Sequence, residues 1–118
     1  PIGATVNMDG TSLYQAVAAV FIAQAFGMDL SLMAQLGIIV TATLASIGSA
    51  AVPSAGMVML VIVLAQAGIP EAGLALIFAV DRPLDMVRTV ANVTSDCTVA
   101  TIIAKSLNKL EDPKEAIG

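Results

Sequence analysis

Between Ala72 and Lys105 the chain is largely apolar, yet a line of charged and amide side chains runs through it at helical spacing. At 100° per residue from Asp81, the residues Asp85, Arg88, Asn92 and Asp96 fall at roughly 40°, −20°, 20° and 60°. One narrow stripe therefore holds all of these polar groups. Leu84, Val87, Ala91, Thr98, Val90, Val93 and Ala100 lie outside the stripe around the rest of the helix, and none is charged. The pattern predicts an apolar helix with a single wet face. At 1.5 Å per residue it would be a rod of roughly 50 Å, longer than the roughly 30 Å hydrocarbon core of a bilayer, so it must tilt, bend or project. Pro83 supplies either a bend or the first turn of a second helical piece.

Composition says what surrounds such a stripe. The chain is 58% hydrophobic and 12% charged, and before Glu71 its only charged residues are Asp9 and Asp29. With a mean hydropathy of +0.92, this is bilayer composition, and with the helical patterning it makes an all-α membrane protein the expected class. The sequence opens in mid-pattern at PIGATV without a start methionine, and reads as a C-terminal fragment of a larger membrane protein. A net charge of −4 argues against nucleic acid as a partner. Cys97 is the sole cysteine, so no intrachain disulfide forms, and it reads as a small packed residue rather than a reactive thiol. Without histidine or a second cysteine, any bound ion must be held by oxygen.

Taken in order, Pro1 to Val6 reads as the last turns of a helix. The segment Asn7 to Thr11, NMDGT, interrupts it, because Asn, Asp and Gly prefer caps and turns. The apolar run resumes from Leu13 to Phe26, with Asp9 or Gly10 as its cap. Residues 1–26 are thus expected to form a transmembrane helix broken at membrane depth, tolerable only where protein or a water-filled cavity covers the freed backbone groups. Gly27 to Ser31 is a polar connection. Two apolar arms follow, Leu32 to Ala45 and Met57 to Ala67, each too short to span. They predict a re-entrant helical hairpin over 32–67 whose tip, 46–56, is built of Ser, Gly, Ala and Pro and brings backbone close to a ligand. The striped segment 72–105 is the candidate ligand-binding, long C-terminal transmembrane helix. A polar tail, 106–118, leaves the bilayer, and Lys105, Lys109 and Lys114 place the C-terminus on the cytoplasmic side. No internal repeat or second domain is visible.

A charge at the bilayer centre costs about 2.5–3.5 kcal/mol even on the forgiving insertion scale, so these groups need partners. At that depth Asp9, Asp81, Asp85 and Asp96 face Arg82 and Arg88, a sum of −2. Hard cations held by Asp, Asn and backbone oxygens are the natural remedy, and broken helices aiming carbonyls at sodium are its transporter form. A salt-bridge ladder between two helices is the purely structural reading of the same residues.

The combination of NMDGT, the tip ASIGSAAVPSAG and the block DRPLDMVRTVANVTSDCTVATIIAK resembles the dicarboxylate/amino acid:cation symporters, the sodium-coupled glutamate and aspartate transporters. The resemblance runs from about Gly3 to Lys105. It implies a fragment of an inverted-repeat transporter, of the architecture that archaeal members of this family typify. By that likeness, the chain is the second half of a moving transport domain in a homotrimer of the cell membrane, without its first hairpin and its scaffold. The resemblance implies that Arg88 pairs the side-chain carboxylate of the substrate and Asp85 its α-ammonium. Asn92, Thr89 and Thr11, with backbone at Val52 and Gly56, would take the main-chain groups. It further implies one sodium at the carbonyls of Gly3, Asn7 and Asn92 and the carboxylate of Asp96. A second sodium would sit on backbone oxygens of Thr5, Ser46, Ile47 and Ser49, and a third on the side chains of Asn7 and Asp9, with Asp81 in support. Sodium ions are then co-transported ligands, and no cofactor is implied.

Within the family, carriers of C4-dicarboxylates typically have Ser in place of Asp85, and neutral amino acid exchangers lack the arginine. Having both favours aspartate or glutamate over a sodium- or proton-coupled C4-dicarboxylate carrier. Proton-coupled vertebrate members have Glu at the position of Gln15, and glutamine does not titrate. Ala51 and Ser54 stand where close archaeal relatives commonly have glycine, which bears on how freely the tip opens. Outside the transporters, an intramembrane aspartyl protease needs two carboxylates sharing a proton, which Arg88 one turn from Asp85 disfavours. A channel would lack saturable, substrate-dependent sodium uptake. Nothing in the sequence points to an enzyme.

Overall fold

In a computed structural model, which describes residues 2–50 and 52–111, the described residues form six α-helices and one 3₁₀ turn. Pro1, the tip residue Ala51 and the tail from 112 onward, with Lys114, lie outside the described residues. Helices α1 (Ile2–Val6) and α2 (Asp9–Ala25) are separated only by Asn7 and Met8. The break is narrower than NMDGT predicts, and the cap is Met8, not Asp9 or Gly10. Asp9 instead stands in the first turn of α2, where a carboxylate complements the free amides and positive end of the helix dipole.

The hairpin arms are α3 (Leu32–Ile47) and α4 (Ala55–Ala67). Ser31 caps α3, its hydroxyl accepting from the Ala34 N–H at 3.2 Å. Gly68, at φ +69°, closes α4 in the left-handed conformation that glycine adopts freely. The striped segment is not one helix from 72. It starts as a 3₁₀ turn (Glu71–Gly73), continues as α5 (Leu74–Phe78), and restarts as α6 (Asp81–Ser106). Pro83 lies in the first turn of α6, where its missing N–H leaves no intrahelical bond unmade, so the proline marks a second piece.

The core is a seam of small and branched side chains. Ala19, Ile22 and Ala23 of α2 meet Ile38 and Ala42 of α3, and Leu60, Val63 and Leu64 of α4 close it. Alanines let the three helices approach closely, as in helix packing that cannot rely on water to drive it. Gly73 does the same for the 3₁₀ turn, since a Cβ there would overlap the Ile22 side chain. The outside is apolar as well: Leu13, Leu32, Met33, Leu44, Val58, Val87 and Val90 are all exposed. A surface of this kind needs lipid or further protein against it.

Among the described residues, no helix is long and apolar enough to cross a membrane. This departs from the expectation of a long C-terminal transmembrane helix. At 26 residues α6 has the length, but Asp81, Arg82, Asp85, Arg88, Asp96 and Lys105 interrupt its hydrophobicity. The other helices are 17 residues or fewer.

Candidate functional site

The polar stripe of α6 faces inward along its first half. Asp81 and Arg88 are buried at 4% and 7% exposure, and Asp85, Asn92 and Asp96 are half-buried. The stripe meets the start of α2 along its length and the tip of the hairpin at its N-terminal end. Close approach to α2 depends on Gly10, because a Cβ there would come within 2.8 Å of the Arg88 carbonyl and 2.9 Å of the Ala91 Cβ. Asn92 sews the same contact: its Oδ1 accepts from the Gly10 N–H at 2.8 Å, and its Nδ2 donates to Thr11 Oγ1 at 3.1 Å.

A cavity of about 340 Å³ opens between α6, the start of α2 and the hairpin tip. Thr11, Val52, Gly56, Asp85, Arg88, Thr89 and Asn92, the full set expected around the substrate, line it together with Ser49 and Asp96. Arg88 donates through Nη2 to Asp85 Oδ1, and its Cζ lies 4.6 Å from the centre of the Tyr14 ring. The cation thus has a carboxylate and an aromatic face as fixed neighbours. Its Nη1 is buried without a hydrogen-bond partner. Gly56 caps the guanidinium from above, and any side chain at that position would collide with it. Arg82 adds a looser contact to Asp85 Oδ2 at 4.0 Å from an exposed position.

Carboxylates without a cation gather at the other end. Asn7, in the break, donates from Nδ2 to Asp96 Oδ1 at 2.8 Å and to Ser95 Oγ at 3.3 Å. Ser95 Oγ donates in turn to Asp9 Oδ2 at 2.5 Å. Asn7, Asp9 and Asp96, three of the residues expected around two ions, are therefore drawn together, with Asn92 one turn before Asp96 on α6. Gly3 accepts from the Asn7 N–H at 3.4 Å, one turn away on α1. Thr5 bonds Ile2 O at 3.0 Å on the same helix, which packs against α3, where Ser46, Ile47 and Ser49 close the first arm. Ser46 and Ser49 are buried and Ile47 is half-exposed. Among the described residues no three Asp, Glu, Cys or His side chains form one cluster. The donor chemistry is single carboxylates among amide, hydroxyl and carbonyl oxygens, which suits a hard monovalent cation better than a transition metal.

Sequence reasoning passed over Ser95 and Tyr14, and singled out Ser54 only as a replacement for glycine at the tip. Ser95 bridges the two carboxylates, and its place at roughly −40° on the helical projection of the stripe was a usable signal. Tyr14, one turn beyond Thr11, supplies the ring under Arg88 and donates from Oη to Asp81 Oδ1 at 3.2 Å. Ser54 donates to the other oxygen of Asp81 at 3.0 Å, a contact across 27 residues that no local spacing announces. Gln15, next to Tyr14, is fully buried with both amide atoms unpartnered.

The chain matches the sodium:dicarboxylate symporter family over residues 1–106. It is 57% identical to excitatory amino acid transporter 3 of Oryctolagus cuniculus over 111 residues, which is 94% of this chain and 21% of that protein. It is 53% identical to an excitatory amino acid transporter of Onchocerca volvulus over 103 residues, 87% of this chain and 21% of the relative. To excitatory amino acid transporter 5 of Homo sapiens it is 50% identical over 109 residues, 92% and 20% of the two chains. The protein belongs to the sodium:dicarboxylate symporter family. Its relatives are transporters, not enzymes, and the chain spans about one fifth of the length of the curated relatives it matches.

Proposed function

We propose that this chain is the C-terminal part of the transport domain of a membrane carrier that moves aspartate or glutamate inward with sodium by alternating access. One observation carries the reading: a buried guanidinium with an unpartnered Nη1 stands beside Asp85 in a cavity roofed by a hairpin tip. A zwitterion with a second carboxylate is complementary to that pair. Its side-chain carboxylate meets Arg88, where a planar fork grips two oxygens, and its ammonium meets Asp85. Thr11, Thr89, Asn92 and the tip backbone at Val52 and Gly56 hold its main-chain atoms. A C4-dicarboxylate would leave Asp85 facing a like charge.

Sodium ions serve the carboxylates that lack a cation. Asp96 with carbonyls of Gly3, Asn7 and Asn92 takes one. Asn7 and Asp9 take another, and carbonyls of Thr5, Ser46, Ile47 and Ser49 a third. Filling these places fixes the break and the first arm of the hairpin, so that substrate meets an ordered site. Because each ligand orders what the other needs, their affinities are coupled reciprocally. The short helices, the apolar exterior and the interrupted α6 fit a domain shielded from lipid by the first hairpin and scaffold of the longer protein. A homotrimer in the cell membrane follows from the family likeness, and Lys105, Lys109 and Lys114 argue for a cytoplasmic C-terminus. Uptake of labelled aspartate by the full-length protein in proteoliposomes tests the proposal. Saturable uptake that needs an inward sodium gradient is expected, and uptake indifferent to sodium overturns it.

A further inference from the structure

We infer that the Ser54 hydroxyl is a latch that holds the hairpin tip shut against the start of α6, and so sets how often the cavity opens. The inference rests on the transport reading only in taking the tip to be the moving lid. Three features of Ser54 point to it. It occupies the left-handed region at φ +62°, which a residue with a side chain adopts less readily than glycine. As N-cap of α4 a serine ordinarily accepts from its own helix, yet here it makes no such bond. Its Oγ instead donates at 3.0 Å to Asp81 Oδ2, on a carboxylate 4% exposed. Both local preferences of serine are given up for one long-range bond.

Asp81 is suited to receive it. Its other oxygen accepts from Tyr14 of α2, so α2 and α6 fix the carboxylate before the tip arrives. Two residues beyond Ser54, Gly56 seats directly on the Arg88 guanidinium. Opening the tip therefore breaks a hydrogen bond to a buried charge and uncovers Arg88 in one movement. A neutral donor on a carboxylate contributes enough to shift such an equilibrium roughly tenfold. Ser54 is a positioning residue, since it stabilises the closed lid through Asp81.

The test compares the full-length protein with Ser54→Ala, Ser54→Gly, Asp81→Asn and the double variant Ser54→Ala/Asp81→Asn. Hydrogen exchange of the tip amides, residues 49–57, is followed in sodium chloride with and without L-aspartate. Ser54→Ala keeps the left-handed strain and loses the bond, so exchange should quicken about tenfold and KM for aspartate rise by a similar factor, with the maximal rate undiminished. Ser54→Gly loses the bond but sheds the strain, and should show a smaller change. In the Asp81→Asn background, where an amide oxygen accepts more weakly than a carboxylate, adding Ser54→Ala should change exchange by a smaller factor than in the native protein. Unaltered tip exchange in Ser54→Ala, or fully additive effects in the double variant, overturns the latch. Absence of sodium-dependent aspartate uptake in the native protein would instead strike the transport reading, and the ratio of exchange rates would still decide the latch.

Discussion

The two ends of the polar stripe hold their carboxylates in different ways. At the Arg88 end the Asp85 carboxylate lies against a buried guanidinium that also faces the Tyr14 ring, and Asp81 close by is held by the hydroxyls of Tyr14 and Ser54. At the Asp96 end half-buried Asp96 and exposed Asp9 are held by Asn7 and Ser95, which are neutral donors. Hydrogen bonds orient a carboxylate, but they do not remove its charge. The difference teaches that the fold sets a cation of its own beside the carboxylates at one end and only neutral donors at the other.

Breaking the Arg88 end should have the largest effect. Arg88→Ala leaves Asp85 without its partner and the cavity without its cation, and labelled aspartate uptake is expected to fall at least a hundredfold, since losing one partner of a buried pair costs about 3–5 kcal/mol. Uptake close to native would dissolve the contrast. At the other end, Asp96→Asn should raise the sodium concentration for half-maximal uptake roughly tenfold, while saturating sodium restores much of the rate. An unchanged sodium dependence would remove Asp96 from the ion site. Between the ends, Gly10→Ala forces α2 off α6, and an overpacked contact of this kind costs about 1–3 kcal/mol. It should lower the thermal midpoint of the purified protein by several degrees and weaken aspartate and sodium together. The mildest change is Ser95→Ala, which frees the Asp9 carboxylate. A shift of roughly twofold to fivefold in sodium dependence, with aspartate affinity at saturating sodium unaltered, would sharpen the division between the ends.

Much of this arrangement was legible before any coordinates. Helical periodicity placed Asp85, Arg88, Asn92 and Asp96 on one face, and they line one side of the cavity. The hairpin arms fell within two residues of α3 and α4, because a run of Ser, Gly and Pro cannot continue either helix. The helix starts were less legible. Asp9 and Gly10 read as a cap, yet a carboxylate gains from the first turn of a helix, and a glycine is needed there for contact with a neighbour that local propensity ignores. The division of 72–105 into a 3₁₀ turn and two helices was hidden for the same reason, since Gly73 is placed by Ile22, a residue 51 positions earlier. Ser54 and Tyr14 meet at Asp81 through the tertiary fold alone.

The amide of Asn92 holds two neighbouring residues of α2 at once, one through its oxygen and one through its nitrogen. A planar group gripped at both corners cannot turn to suit one side without disturbing the other. Rotation of α6 about its own axis is thereby forbidden to be a private event. Whatever displaces Thr11 from the cavity side therefore also tugs the backbone next to Asp9 through a single rigid plane of atoms.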